Sequence, residues 1–137
     1  MAQQLIPADD FLQLTLDNPD GLAPFGFTLS NGIQVKVWDS GVISFEPAGE
    51  TTEDVVLSCG VHGNETAPIE ICAAIVKDIL TEQLAVKVRL LVLFGNPPAI
   101  NAGKREIDEN LNRLFSGYHS KGAGLINAER QRAKRLE

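Results

Sequence analysis

A histidine and a glutamate stand three residues apart in the stretch "GVHGNETAPIE", residues 60–70. His62 and Glu65 are residue types that bind Zn²⁺, through an imidazole nitrogen and a carboxylate oxygen. Gly60 and Gly63 let the backbone turn sharply, so both side chains could face a common point. Zinc held there would polarise a carbonyl group and lower the pKa of bound water toward ~7. The alternative is a loop histidine followed by a glutamate that only favours a helix N-terminus.

A second polar group follows in "GKREIDENLNRLF", residues 103–115. In a protein of formal net charge −6, the local positive charge of Arg105 and Arg113 could attract an anionic substrate. Arginine can bind a carboxylate through two parallel hydrogen bonds, which lysine cannot do. The alternative is that both arginines form surface ion pairs with the acidic residues between them.

Two apolar runs and a helix between them would position His62 and Glu65. Residues 54–61, "DVVLSCGV", are rich in valine and typical of a strand covered on both faces. Residues 66–83 predict a helix with Thr66 as its N-cap, and residues 86–94 predict a second buried strand. A crossover of this length implies a parallel strand pair. His62 and Glu65 then fall at the C-terminal edge of the first strand, where open α/β sheets bind ligands.

The two ends of the chain predict further elements. Residues 33–39 and 41–47 alternate in hydrophobicity and predict an antiparallel hairpin, after a short helix near residues 7–16. Residues 124–137 predict an amphipathic helix whose charged residues form a solvated face. No stop signal ends this helix, so we expect a truncated domain, with residues 1–50 as N-terminal segment and hairpin and residues 51–137 as α/β core.

Composition excludes several classes of protein. The chain is 44% hydrophobic, which suits one buried core, and it has no stripe of basic residues interleaved with aromatic ones. Its apolar runs are too short to span a bilayer and its N-terminus lacks a signal-peptide pattern. We therefore expect a soluble, cytoplasmic protein without nucleic-acid or membrane partners, and homo-oligomerisation stays open. Cys59 and Cys72 are expected to be free, buried thiols.

The stretch "GVHGNETAPIE" resembles the zinc-binding motif of the succinylglutamate desuccinylase and aspartoacylase family, zinc amidohydrolases related to the zinc carboxypeptidases. "GNPPA", "GKR" and "LNRLF" resemble the same family. The resemblance implies a three-layer α/β/α fold with a mixed, largely parallel sheet, of which this chain is the N-terminal part. It implies one Zn²⁺ per subunit, held by His62 and Glu65, with a third histidine ligand and a general-base glutamate beyond Glu137. His119, the other histidine, is expected to be a surface residue.

The resemblance also implies roles for three residues of the second group. Arg105, Asn112 and Arg113 would bind a small anionic N-acyl amino acid, and Arg105 would also act in catalysis by helping to polarise the scissile carbonyl. The implied reaction is hydrolysis of N-succinylglutamate to succinate and glutamate during arginine breakdown, although this chain alone is expected to be inactive. Two alternatives stay open: deacylation of an N-acyl aspartate, and a non-catalytic module that binds a carboxylate or a partner.

Overall fold

The computed structural model describes residues 5–122 and 127–137. Its strands form one sheet in the order β1-β2-β3-β5-β4. The strands are β1 Phe25–Thr28, β2 Gln34–Asp39, β3 Val42–Glu46, β4 Asp54–Cys59 and β5 Arg89–Phe94. The helices are α1 Phe11–Asp17, α2 Thr66–Leu80, α3 Pro97–Ala102 and α4 Ala128–Leu136, with 3₁₀ turns at Pro7–Asp9, Leu111–Arg113 and Tyr118–Ser120.

The sheet is mixed. Strands β4 and β5 are parallel and joined through α2, as the crossover predicts. The other three pairings are antiparallel, so the α/β class is confirmed, whereas the expectation of a largely parallel sheet does not hold for the described strands. The antiparallel pairings arise because the hairpin β2–β3 belongs to the same sheet as β4 and β5. Its strand β3 pairs with β5, placing Val42 opposite Leu93 and Phe45 opposite Leu90.

The core lies on one face of this sheet. Alternate residues of the central strands are buried there and pack against apolar residues of α1 and α2. The largest contributions come from Ile43, Phe45, Phe94, Phe11 and Ile79, each at most 1% exposed. Burying side chains of this size stabilises the fold by about 1.5–3 kcal/mol each. The result is a rigid sheet whose strand ends can position a site.

Strand β4 differs from its prediction. Its valine run predicts burial on both faces, but β4 is an edge strand of the sheet. Val55 is 37% exposed and Val56 is 59% exposed, and only Cys59 of this strand is buried. Valine content reflects a side-chain preference, whereas burial depends on which elements cover the strand.

The observed bounds of the helices and strands differ from the predictions at some points and match them at others. Helix α2 begins at Thr66, and its N-cap is Glu65, whose side chain makes no capping bond, so the prediction of Thr66 as N-cap is wrong. Helix α4 lies within the predicted segment, and residues 124–126 of that prediction lie outside the described residues. The hairpin and α1 match their predictions. Strand β1 and helix α3 were not predicted.

The solvated face expected for α4 is present only in part: Gln131, Lys134 and Arg135 are exposed, but the other charged residues near its start are not. Glu129, Arg130 and Arg132 are buried, at 1%, 8% and 4% exposure. Arg132 donates to the carbonyl oxygens of Phe94 and Gly95 and to Asp39, which ties α4 to the end of β5. Burial lowers the pKa of Arg132 to about 10, and the Asp39 carboxylate opposes that shift.

The structure also describes the two cysteines and the length and polarity of the helices. Cys59 and Cys72 are free and buried, as predicted. Among the described residues, no helix is both long enough and apolar enough to cross a membrane.

Candidate functional site

His62 and Glu65 lie just beyond the C-terminal end of β4, on the turn into α2. Hydrogen bonding between the parallel strands continues past β4, since Asn96 N donates to Gly60 O at 2.8 Å. Gly60 then takes a positive φ of 66°, which disfavours any residue with a side chain. The chain therefore leaves the sheet sharply and places His62 at its edge.

Gly63 brings this turn against α3. A Cβ atom on Gly63 would lie 2.1 Å from the carbonyl carbon of Ala99 and 2.3 Å from its oxygen, so no larger residue fits without displacement. Gly63 N also donates to Arg105 O at 3.3 Å. The turn that carries His62 is thus fixed between α3 and the loop that carries Arg105.

The two predicted metal ligands face each other. His62 Nδ1 lies 3.3 Å from Glu65 Oε1. Two ligand atoms that are each ~2.0–2.2 Å from a tetrahedral zinc ion are roughly 3.3–3.5 Å apart, so this separation fits one ion between them. The His62 side chain is 12% exposed and that of Glu65 is 59% exposed, which leaves the carboxylate side open to solvent.

Asn110 holds the other ring nitrogen of His62. Its Oδ1 lies 2.9 Å from His62 Nε2 and also accepts from Asn112 N at 3.0 Å. Because a backbone N–H requires an acceptor, the amide oxygen faces the ring, and His62 Nε2 must carry a proton and donate it. Nδ1 is then the nitrogen that can bind a metal, and an outer contact of this kind orients metal-binding histidines. Asn110 was not predicted, because 48 residues separate it from His62.

The predicted substrate-binding residues share one loop beside this pair. Arg105, Asn112 and Arg113 are all exposed and lie after α3. The loop meets the His62 turn twice, through Arg105 O and through Asn110 Oδ1. Its local order comes from the 3₁₀ turn at Leu111–Arg113, which Asn110 caps.

The alternative to anion binding was that Arg105 and Arg113 form surface ion pairs with nearby acidic residues. Arg105 Nε lies 3.9 Å from Glu106 Oε1, a long contact between exposed groups that contributes little. Arg113 is absent from the ion pairs of residues 5–122 and 127–137, and Glu109 pairs with Arg130 instead. Both guanidinium groups can therefore meet an anion from solution.

The remaining candidate ligands lie outside this pair. His119 Nε2 is 3.2 Å from Glu137 Oε2, but the other oxygen of that carboxylate accepts from Gly117 N. Burial, with a smaller contribution from Cys72, raises the pKa of the Cys59 thiol, so it stays protonated at neutral pH, which disfavours the thiolate form that binds metals. No cluster of three or more histidine, cysteine and acidic residues occurs in the described part of the chain.

A large, open cavity among the described residues does not coincide with this pair. It measures about 940 Å³ and lies at the opposite ends of β4 and β5, next to Glu53 and Arg89. It is wide and open to solvent, and it carries no histidine or cysteine. The chemistry of the chain therefore points to the C-terminal edge of the sheet.

The chain is similar to several known proteins. A curated succinylglutamate desuccinylase of Shewanella pealeana is 59% identical and one of Shewanella baltica is 57% identical over the whole of this chain, which spans 40% of their length. The crystal structure of the succinylglutamate desuccinylase from Chromobacterium violaceum matches with a TM-score of 0.80 and 39% identity, covering 93% of this chain and 39% of that chain.

The corresponding enzyme from Vibrio parahaemolyticus also matches with a TM-score of 0.80, at 38% identity, covering 92% of this chain and 36% of that chain. The sequence model of the succinylglutamate desuccinylase/aspartoacylase catalytic domain matches residues 51–137. That range includes His62, Glu65 and the loop of Arg105 and Arg113. The chain belongs to the succinylglutamate desuccinylase/aspartoacylase family.

Proposed function

We propose that this chain supplies zinc-binding and substrate-binding residues for hydrolysis of N-succinylglutamate to succinate and glutamate. The observation that carries the proposal is the 3.3 Å approach of His62 Nδ1 to Glu65 Oε1, with Nε2 held by Asn110. The similar proteins are named succinylglutamate desuccinylases, which supports N-succinylglutamate as the substrate. The reaction would belong to arginine breakdown through succinylated intermediates.

His62 and Glu65 would hold the metal. When bound, zinc would supply Lewis acidity for the attack of water on the amide carbonyl. Asn110 Oδ1 accepts a hydrogen bond from His62 Nε2–H. This bond keeps the lone pair of Nδ1 directed toward Glu65. A third protein ligand and a general base are not found among the described residues near this pair, and their supply by later residues of the family's domain stays a prediction.

Arg105, Asn112 and Arg113 would bind the carboxylates of the substrate. A guanidinium group can donate two parallel hydrogen bonds to a carboxylate, which fixes the orientation of the substrate as well as its position. Asn112 would orient the amide through its side-chain donor or acceptor. Arg105 would also stabilise the negative charge that develops on the carbonyl oxygen.

Deacylation of an N-acyl aspartate is the second candidate, because the matching family model covers both activities. Isothermal titration calorimetry separates the candidates. With Zn²⁺ present, we expect this chain to bind N-succinylglutamate more tightly than N-acetylaspartate, and to bind it feebly without Zn²⁺. Tighter binding of N-acetylaspartate would favour the second candidate, and metal-independent binding would instead indicate a non-catalytic module.

We would measure turnover in a protein of the relatives' length that contains this chain. In that protein, His62→Ala should abolish both zinc uptake and succinate release. Arg113→Ala should lower kcat/KM by roughly 100-fold, corresponding to about 2.7 kcal/mol of lost interaction with a carboxylate. Arg89→Ala is the matched control, since Arg89 is an exposed arginine that pairs with Asp54 at the other end of β5. Unchanged zinc content in His62→Ala would contradict the proposal.

A further inference from the structure

Glu129 of α4 holds the backbone of the loop that leads to Asn110. Its carboxylate is buried, and Oε1 accepts from Ile107 N at 2.6 Å and from Asp108 N at 2.8 Å. Its Oε2 has no hydrogen-bond partner among the described residues. Burying a carboxylate with one oxygen unpaired is costly, so its place here is explained by the two backbone donors that it fixes.

Arg130 holds the next residue of the same loop. Its Nε and Nη2 donate to the two oxygens of Glu109 at 2.5 and 2.9 Å, a bidentate pair. Asn127 Nδ2 donates to the same carboxylate at 2.7 Å. Arg130 Nη1 donates to the carbonyl oxygens of His119 and Lys121, so one side chain joins α4 to two loops.

The contacts from α4 reach the residue just before Asn110, and Asn110 itself contacts His62, the proposed metal ligand. Three consecutive residues, 107, 108 and 109, are fixed from α4, and the next residue is Asn110, which accepts from His62 Nε2. Apolar burial adds little to this stretch, since Ile107 is 42% exposed. The backbone that leads into Asn110 is therefore held by polar contacts from α4, and Leu111 on the other side of Asn110 is held by apolar packing.

We propose that Glu129 and Arg130 are positioning residues that act on metal binding through Asn110 and His62. Neither residue contacts the proposed metal position, and the inference rests on the proposed function. The competing account is that α4 only adds stability, through the packing of Ala133 against Leu111 and Leu114.

Zinc affinity of this chain tests the proposal, measured by isothermal titration calorimetry with Zn²⁺ alone. We expect Glu129→Gln and Arg130→Lys each to weaken binding about 10-fold, as loss of an outer contact does, with one equivalent still bound. In an Asn110→Ala background the same substitutions should cause no further loss, because the path to His62 is already broken. Arg135→Lys is the control, since Arg135 lies on the same helix but pairs with Asp39.

A second measurement does not depend on zinc. In the metal-free chain, the ¹H and ¹⁵N signals of His62 Nε2–H report its hydrogen bond to Asn110. They should shift in Glu129→Gln and Arg130→Lys and stay unchanged in Arg135→Lys. Where either variant fails to fold, Glu109→Gln replaces it, because it weakens the pair with Arg130 and leaves α4 unaltered.

The outcomes separate the two proposals. Wild-type zinc affinity in both variants, or an equal loss with and without Asn110, would overturn the positioning role. If the wild-type chain bound no zinc, the proposed function would fail, and the His62 signals alone would decide whether α4 positions the ring. Unshifted His62 signals in folded variants would overturn the inference whatever the result for zinc.

Discussion

Asn110 and Glu65 lie on opposite sides of the His62 ring, one at each ring nitrogen. Asn110 Oδ1 lies 2.9 Å from Nε2, and Glu65 Oε1 lies 3.3 Å from Nδ1. One contact comes from a loop 48 residues away and the other from the same turn. The hydrogen bond to Asn110 therefore orients the ring before any metal arrives, with Nδ1 facing the Glu65 carboxylate, which reduces the cost of ordering the ring on binding.

Replacing Asn110 should weaken metal binding without removing a ligand. Asn110→Ala deletes the acceptor of Nε2–H, and we expect zinc affinity to fall about 10–100-fold by calorimetry. Asn110→Asp keeps an acceptor oxygen and should bind more tightly than Asn110→Ala. Gln34→Ala, on the exposed side of β2, should leave affinity unchanged. Equal affinities for wild type and Asn110→Ala would mean that this contact does not serve the metal.

Gly63 should tolerate no side chain. In Gly63→Ala the added carbon would meet the Ala99 backbone at 2.1 Å, so we expect a loss of about 1–3 kcal/mol in the free energy of unfolding. Zinc affinity should fall as well, because the turn that carries His62 must move. Gly49→Ala is the matched control, since nothing lies within 4 Å of its added carbon. Urea unfolding monitored by circular dichroism would measure both, and equal midpoints would refute the close approach.

Acid should weaken the link between α4 and the loop. Hydrogen bonds from Arg130 and Asn127 lower the pKa of Glu109 from 4.5 to about 2. Because the folded pKa is the lower one, the unfolded chain binds more protons between these values. The stabilisation is therefore complete above about pH 4.5 and lost as pH falls toward 2.

A pH series of urea unfolding tests this linkage. The free energy of unfolding of the wild type should approach that of Glu109→Gln as pH falls through this range. Above about pH 6 the difference between the two proteins should be constant. Parallel curves down to pH 2 would show that Glu109 does not have the lowered pKa described here.

Thr15 should anchor α1 to the hairpin. It is fully buried, and its Oγ1 accepts from Gly41 N at 2.9 Å, at the turn between β2 and β3. Thr15→Val keeps the shape but leaves that N–H unpaired, so we expect a loss of about 1–3 kcal/mol in the free energy of unfolding. Thr28→Val, at an exposed position of β1, should change stability little. A thermal melt in which both variants match the wild type would count against the anchor.

The elements around the metal pair could be predicted from local pattern. A strand, a helix and a strand in succession predict a parallel strand pair, since parallel strands need a crossover of this kind. His62 and Glu65 then necessarily follow the C-terminal end of β4, where the structure places them. The glycines at 60 and 63 already indicated a sharp turn, and both the positive φ of Gly60 and the close approach of Gly63 to Ala99 depend on the missing Cβ atom.

Long-range polar contacts could not be predicted in the same way. Glu129, Arg130 and Arg132 form part of a charged helix, and helical spacing alone places such residues in solvent. Their burial follows from partners that lie far away in sequence, such as Glu109 and the carbonyl oxygen of Gly95. Asn110 was missed for the same reason, because its partner is in a different element.

Anomalous diffraction at the zinc absorption edge, from crystals of this chain grown with Zn²⁺, is the most direct measurement. We predict one peak within ~2.0–2.2 Å of both His62 Nδ1 and a carboxylate oxygen of Glu65. A peak at His119 and Glu137 alone, or His62 and Glu65 side chains that point away from each other, would contradict the claim that this pair binds a single metal ion.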